Sequence, residues 1–277
     1  MTSELKPLDK PRGLGLFLRN MALSTIVQRV ERMADAGITW AAIGTLWQDV
    51  DRKTGADTSR WINKPDLVKK ISFTLGLYGI DPWLWGYPWK GRHVEFVKGL
   101  QSVSTGDTVG WILDPELGMK DKNHEVADHA ARDLFRCCQE SNPYRILGFS
   151  SYGIPKGHPT FPWDSFIQAG GFNPFEECEF VSPQLYDEEV SDIRRGMAQY
   201  RELGGNYLIP AFGTYKNVIV NGKRTTPNMT GAELSVHLQR FADIKDEFKI
   251  QAMIGWSEAQ VSKSGWDVIE EFSGVFK

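Results

Sequence analysis

STIVQRVERMADAGITWAAIG, residues Ser24 to Gly44, contains one complete change of hydrophobic period. Ile26, Val30, Met33 and Ala34 recur at helical spacing, and Gly37 closes the helix. An apolar run near 38–44 follows at once and reads as a buried strand. A helix that feeds straight into a strand is half of a βα repeat, so the reading turns on how often the alternation recurs.

Outward from this stretch it recurs eight times. The expected strands are GLGLFL near 13–18, ITWAAIG near 38–44, GIDPWLW near 79–85 and VGWILD near 109–114. The second half adds YRILGFS near 144–150, EFVSPQLY near 179–186, NYLIPAFG near 206–213 and IQAMIGW near 250–256. Helical patterns lie between them. The fourth puts Val126, Ala130, Leu134 and Cys137 or Cys138 on one face, and the seventh opens with a capping box, Thr230 and Glu233. Eight such units with no linker or composition break predict α/β architecture, a single (β/α)8 TIM barrel spanning residues 1–277, with 1–12 as an N-terminal extension. An open doubly wound sheet is the alternative, weakened because no GxGxxG turn follows the first strand. Three connections after strand ends are long, about 45–64, 151–163 and 214–229, and Asn221-Gly222 in the last signals a hairpin that serves as a rim over the site or as a tolerated insertion.

Composition narrows the function. The 277 residues carry a formal net charge of −3, which leaves no broad basic surface for a phosphate backbone, so nucleic acid is not expected as a partner. Three cysteines, two of them adjacent, make neither a disulfide framework nor a metal-ligand spacing. His93, His124, His129 and His237 fall on helices or helix starts, so no metal or other cofactor is expected. No apolar stretch is long enough to span a bilayer. The opening MTSELKPLDKPRG lacks the charged start and apolar run of a secretory signal, so synthesis in the cytoplasm is expected. Ten Trp, eight Tyr and 15 Phe are the unusual entries, and a surplus of indoles near loops suits flat ligands such as sugar rings.

Side chains alternate along a strand, so Ile112, Asp114 and Glu116 share one face while Trp111 and Leu113 face the outer helices. Two carboxyls at the end of the fourth strand would then meet at the barrel mouth. They cannot both ionise cheaply there, which leaves a proton donor beside a charged neighbour, the equipment for cleaving a glycosidic bond. On the sixth strand Ser182, Gln184 and Tyr186 share a face, with Asp187 at the rim. Trp256 and Glu258 at the end of the eighth strand share a face, as do Asp81, Trp83, Trp85 and Tyr87 on the third, and either set could form a wall for pyranose rings. Trp47 and His158, in the loops after the second and fifth strands, lie on the same side.

The DxE of strand four, the PQLYD of strand six, the Trp that ends strand eight and the segment LGFSSYGIPKGHPTFPWDSF resemble TIM-barrel glycoside hydrolases of the lysozyme type (family 25) and the chitinase type (family 18). The resemblance implies that Glu116 is the general acid, that Asp114 orients the substrate's acetamido group or stabilises charge, that Gln184 and Tyr186 contact that group, and that Trp256 floors the sugar subsite. Two departures bear on the chemistry. The chitinase pattern's acids upstream of DxE are replaced by Val109 and Ile112, and the lysozyme-type Asp ending strand one is replaced by Leu18-Arg19-Asn20. Either another acid, Asp187, Asp49 or Glu258, takes its place, or a substrate acetamido oxygen is the nucleophile.

The expectation is a hydrolase of β-linked N-acetylated amino-sugar polymers, peptidoglycan above all, acting with retention because the DxE spacing leaves little room for a water. A phage-encoded protein released to the cell wall would fit the missing signal. Two alternatives stay open: a non-catalytic glycan-binding or virion structural barrel, and a metal-dependent isomerase or aldolase, for which the strand ends supply no Lys.

Overall fold

The computed structural model describes residues 10–51, 53–141, 146–167, 179–186, 188–220 and 222–276. Eight parallel strands form its centre: β1 Gly13–Leu18, β2 Trp40–Trp47, β3 Asp81–Tyr87, β4 Gly110–Leu113, β5 Ile146–Tyr152, β6 Phe180–Gln184, β7 Ala211–Gly213 and β8 Ala252–Trp256. Each pairs with the next, and β8 pairs back with β1, so the sheet closes into the (β/α)8 barrel. Each strand is followed by a helix: α1 Ile26–Asp35, α2 Pro65–Leu77, α3 His93–Val103, α4 His124–Ser141, α5 Trp163–Ile167, α6 Val190–Glu202, α7 Gly231–Ala242 and α8 Lys263–Ser273.

Two apolar layers follow from the strand alternation. Phe17, Trp40, Trp83, Trp85, Ile112, Ile146, Phe180 and Ile254 fill the barrel interior. Trp111, Leu113, Val181 and Leu185 face the shell beneath the helices. The interior rings are large, and neighbouring strands make room with glycine. A Cβ on Gly110 would sit 2.3 Å from the Trp83 ring and one on Gly148 2.1 Å from that of Phe180. Both are closer than atoms can approach, so the bulky rings and the glycines specify each other.

Several boundaries differ from the sequence-based expectation. β2 runs three residues past Gly44, to Trp47, because Leu46 and Trp47 pair with a short antiparallel strand, Arg60–Trp61, in the following loop. β7 is shorter than expected: Leu208 meets Val181 only as an isolated bridge, and Pro210 has no N–H with which to extend the ladder. On α4 the buried face is Ala127, Ala131, Leu134, Phe135 and Cys138, whereas Val126 is exposed. The expected stripe was therefore one residue out of phase at its start. The capping box of α7 is present, with Thr230 and Glu233 exchanging hydrogen bonds. The hairpin of the 214–229 connection pairs Val218–Val220 with Lys223–Thr225; Asn221 lies outside the described residues, and Gly222 adopts φ +73°. No described helix is long and apolar enough to cross a membrane.

His237 is buried on α7 against Phe241, and neither ring nitrogen has a hydrogen-bond partner. Burial, aided by the charge of Arg240, holds its pKa down from 6.5 to about 4. The folded state therefore keeps this ring neutral, and the stability it contributes is complete above pH 6.5 and lost as pH falls through 4. The loss is about 3 kcal/mol if the shift is fully expressed. His237→Leu is expected to remove that step, so that melting temperatures measured at pH 7 and pH 4 lie closer together than in the parent. An undiminished gap would reject this account.

Candidate active site

Asp114 follows β4 directly. Its N–H donates to the Gly86 carbonyl on β3 at 2.9 Å, and the carbonyl of Pro115 accepts from Ser151 Oγ on β5 at 2.7 Å. The turn carrying the two acids is thereby pinned to both neighbouring strands. Asp114 itself is 3% exposed. Its Oδ2 accepts from Trp85 Nε1 at 3.0 Å and its Oδ1 from Gln184 Nε2 at 2.7 Å, while Gln184 also approaches Ser150 Oγ at 3.4 Å. Side chains from β3 and β6 thus converge on the carboxyl group that follows β4, and β5 supports it through Gln184.

Glu116, two residues on, is half-buried. Burial raises its pKa, offset in part by Gln184 and by the charge of Lys120. Asp114 is raised well above the usual carboxylate range, first by burial and then by the charge of Glu116, against the pull of its two hydrogen-bond donors and of Arg19. The mouth therefore retains a proton that two separate, hydrated carboxyls would release. Lys120 Nζ lies 2.7 Å from His158 Nδ1 and 4.1 Å above the Tyr152 ring, on which His158 stacks with centroids 3.7 Å apart. His158 thus belongs to a cationic and aromatic group beside Glu116.

Aromatic rings line the rest of the mouth. Trp256 packs against Phe17, Trp85 and Tyr186, at 4.8, 5.0 and 6.2 Å between centroids. Trp47 stacks on Tyr87 at 4.3 Å with planes 8° apart and meets Trp85 edge-on at 6.3 Å. Trp47, Tyr186 and Trp256 are half-buried.

Not every expected residue has its expected place. Trp85 is 0% exposed, so it offers no face to a sugar, and its role is to donate to Asp114 from below. Tyr87 is likewise buried, beneath Trp47, with its hydroxyl taking a long contact from the Gly118 N–H. Glu258 commits both carboxylate oxygens to Arg29 of α1, Arg29 Nε donating at 3.1 and 2.9 Å. It clasps the loop after β8 to a helix and does not turn toward the acid pair. Asp49 uses Oδ1 to accept the N–H of Val50 in the loop after β2. Asp187 lies outside the described residues. Trp163 serves the core with Phe149, Phe161 and Tyr200, and its Nε1 donates to the His158 carbonyl. Among the described residues, no group of three or more His, Cys, Asp or Glu could hold a metal ion.

Several residues at the mouth were not expected from the sequence, Arg19, Arg60, Lys120 and Tyr152 among them. Arg19, just past β1, places its guanidinium 4.9 Å from the centre of the Trp256 ring. Parity was the available signal, since Phe17 points into the barrel and Arg19 is two residues further on.

No protein-family model matches the chain, and no curated protein matches it in sequence. Solved structures do match in shape. The Bacillus cereus spore cortex-lytic enzyme SleL superposes with a TM-score of 0.65 at 10% identity, over 94% of this chain and 74% of that one. A class V chitinase from Cycas revoluta, solved as a mutant with (GlcNAc)3, gives 0.60 at 9% over 96% and 100%. One from Nicotiana tobaccum, solved as a mutant with NAG4, gives 0.61 at 8% over 96% and 99%. At such identities the likeness shows the fold. Families named among such neighbours include the chitinase-type family 18 and, for a xylanase from Thermobacillus composti, family 10, and none of the three structures above is described as lysozyme-type.

Proposed function

We propose that the chain is a glycoside hydrolase of the chitinase type, cleaving β-linked N-acetylated amino-sugar polymers, with peptidoglycan as the leading substrate and Glu116 as general acid. What carries this reading is the acid pair: a buried carboxyl held by two N–H donors, next to a half-buried one whose pKa is raised, at the C-terminal end of a barrel strand. The structural neighbours support it, since a spore cortex-lytic enzyme and chitinases crystallised with GlcNAc oligomers share the fold.

Glu258 is held by Arg29, and the proposed mechanism uses no further acid: the substrate's acetamido group is the nucleophile. Glu116 gives its proton to the glycosidic oxygen as the bond from that oxygen to C1 breaks. The acetamido carbonyl oxygen bonds to C1 from the opposite face, and Asp114, with lone pairs spare beyond those used by Trp85 and Gln184, takes the acetamido N–H. Water then adds to C1, losing its proton to the Glu116 carboxylate as the acetamido oxygen leaves. Two inversions give net retention. Trp256 and Trp47 supply ring faces for the flanking sugars.

Digestion of purified peptidoglycan and of chitin, with products resolved by mass spectrometry, tests the proposal. New reducing ends at an N-acetylated residue are expected from at least one polymer. Saturable binding of both polymers with no new ends from either would instead mark a binding module.

A further inference from the structure

Two arginines flank the aromatic floor of the mouth. The guanidinium of Arg19 lies over Trp256 at 4.9 Å, and that of Arg60 lies over Trp47 at 5.7 Å. Trp85 connects the two indoles, 6.3 Å from Trp47 and 5.0 Å from Trp256. Arg60 is held there by backbone pairing with Trp47, which places it at the mouth although it belongs to the loop after β2. Among the described residues neither arginine forms an ion pair, whereas Arg29, Arg92, Arg194 and Arg240 all do. The Nε of Arg19 is buried with no hydrogen-bond partner. A guanidinium with a buried, unused donor is costly unless something arrives to accept from it. Burial and the nearby charge of Arg60 both act against the charge on Arg19, and Asp114, already taken by Trp85 and Gln184, offsets them in part.

We propose that Arg19 and Arg60 form a receptor for an anionic substituent on the sugar chain, a carboxylate or a sulfate ester, carried by a ring seated on Trp47 and Trp256. Guanidiniums 4.9 and 5.7 Å from the indole centres stand beside the rings on which the sugar would sit, and their N–H groups suit oxyanions. The receptor makes the preferred substrate an acidic glycan and not a neutral one. It rests on the glycoside hydrolase reading but concerns which glycan is taken.

Binding in the Glu116→Gln background separates recognition from cleavage. Three ligands are titrated by calorimetry: a peptidoglycan-derived tetrasaccharide with free lactyl carboxylates, the same tetrasaccharide with those carboxylates amidated, and 6-O-sulfated chitotetraose, with neutral chitotetraose as its reference. At least one charged ligand is expected to bind about tenfold or more tightly than its neutral counterpart, as one charge-assisted contact allows. Which one does so identifies the anion. Arg19→Gln and Arg60→Gln should each shrink the charged-to-neutral ratio, and since Arg60 is exposed its variant has no core to disturb. Equal affinity for charged and neutral members of both pairs would overturn the receptor while leaving the hydrolase reading intact. Failure of every glycan to bind would overturn both.

Discussion

Glu116→Gln is expected to reduce glycan cleavage by about 10²–10⁴-fold, the range for removing a positioned general acid, while oligosaccharide affinity and melting temperature stay near those of the parent. Gln matches Glu in shape and can still accept and donate hydrogen bonds, but its amide carries no proton acidic enough to give to a leaving oxygen. The side chain is half-buried and forms no ion pair among the described residues, so the substitution breaks no salt bridge. Release of reducing ends and calorimetric binding, measured on the same preparation, separate the two effects. Cleavage at the parental rate by the Gln variant would remove Glu116 from the chemistry and with it the proposed mechanism.

Asp114→Asn is expected to lower cleavage by about 10²-fold, because an amide accepts the substrate's acetamido N–H less strongly than the carboxyl it replaces. Stability should move the other way. The folded-state pKa of Asp114 is raised, by burial first and the charge of Glu116 second, so its favourable contribution is present in acid and is lost as pH rises through that pKa. An uncharged Asn does not suffer this loss, so the variant should melt higher than the parent at neutral and alkaline pH, with the difference fading in acid. Its amide also fits: Oδ1 can accept from Trp85, and Gln184 can rotate its carboxamide to accept from the new NH2. Thermal melts across pH check this. A variant less stable than the parent at pH 8 would mean that the two N–H bonds outweigh the cost of the buried charge.

Much of the barrel could be read directly. β1 begins and ends where GLGLFL predicts, and the inward parity of Ile112 and Asp114 on one side of the fourth strand, against Trp111 and Leu113 on the other, is the parity observed. Period-two alternation is a local property, and a closed parallel barrel enforces it on every strand. Strand ends were less legible. The extension of β2 depends on Arg60–Trp61, more than a dozen residues away, and the shortening of β7 depends on what β6 offers it.

The site divides in the same way. That Asp114, Glu116, Gln184 and Trp256 stand at one mouth follows from their positions at strand ends, and the chain's own order is enough to place them there. Which aromatics show a face to solvent does not follow from order. Trp85 and Trp256 have the same inward parity, yet one is sealed under Asp114 and the other is half open, because depth in a barrel is set by the register between strands. Glu258 looked like a mouth acid from its spacing, but a helix on the far side of β1 brought Arg29 within reach of it. The eight-fold alternation, the inward face of each strand and the strand-end position of the acid pair rest on spacing along the chain, so residue order alone carries them. Which carboxyl is buried, which acid is already taken and which indole each of Arg19 and Arg60 lies over came only with the folded chain, because solvation and charge pairing depend on neighbours distant in sequence.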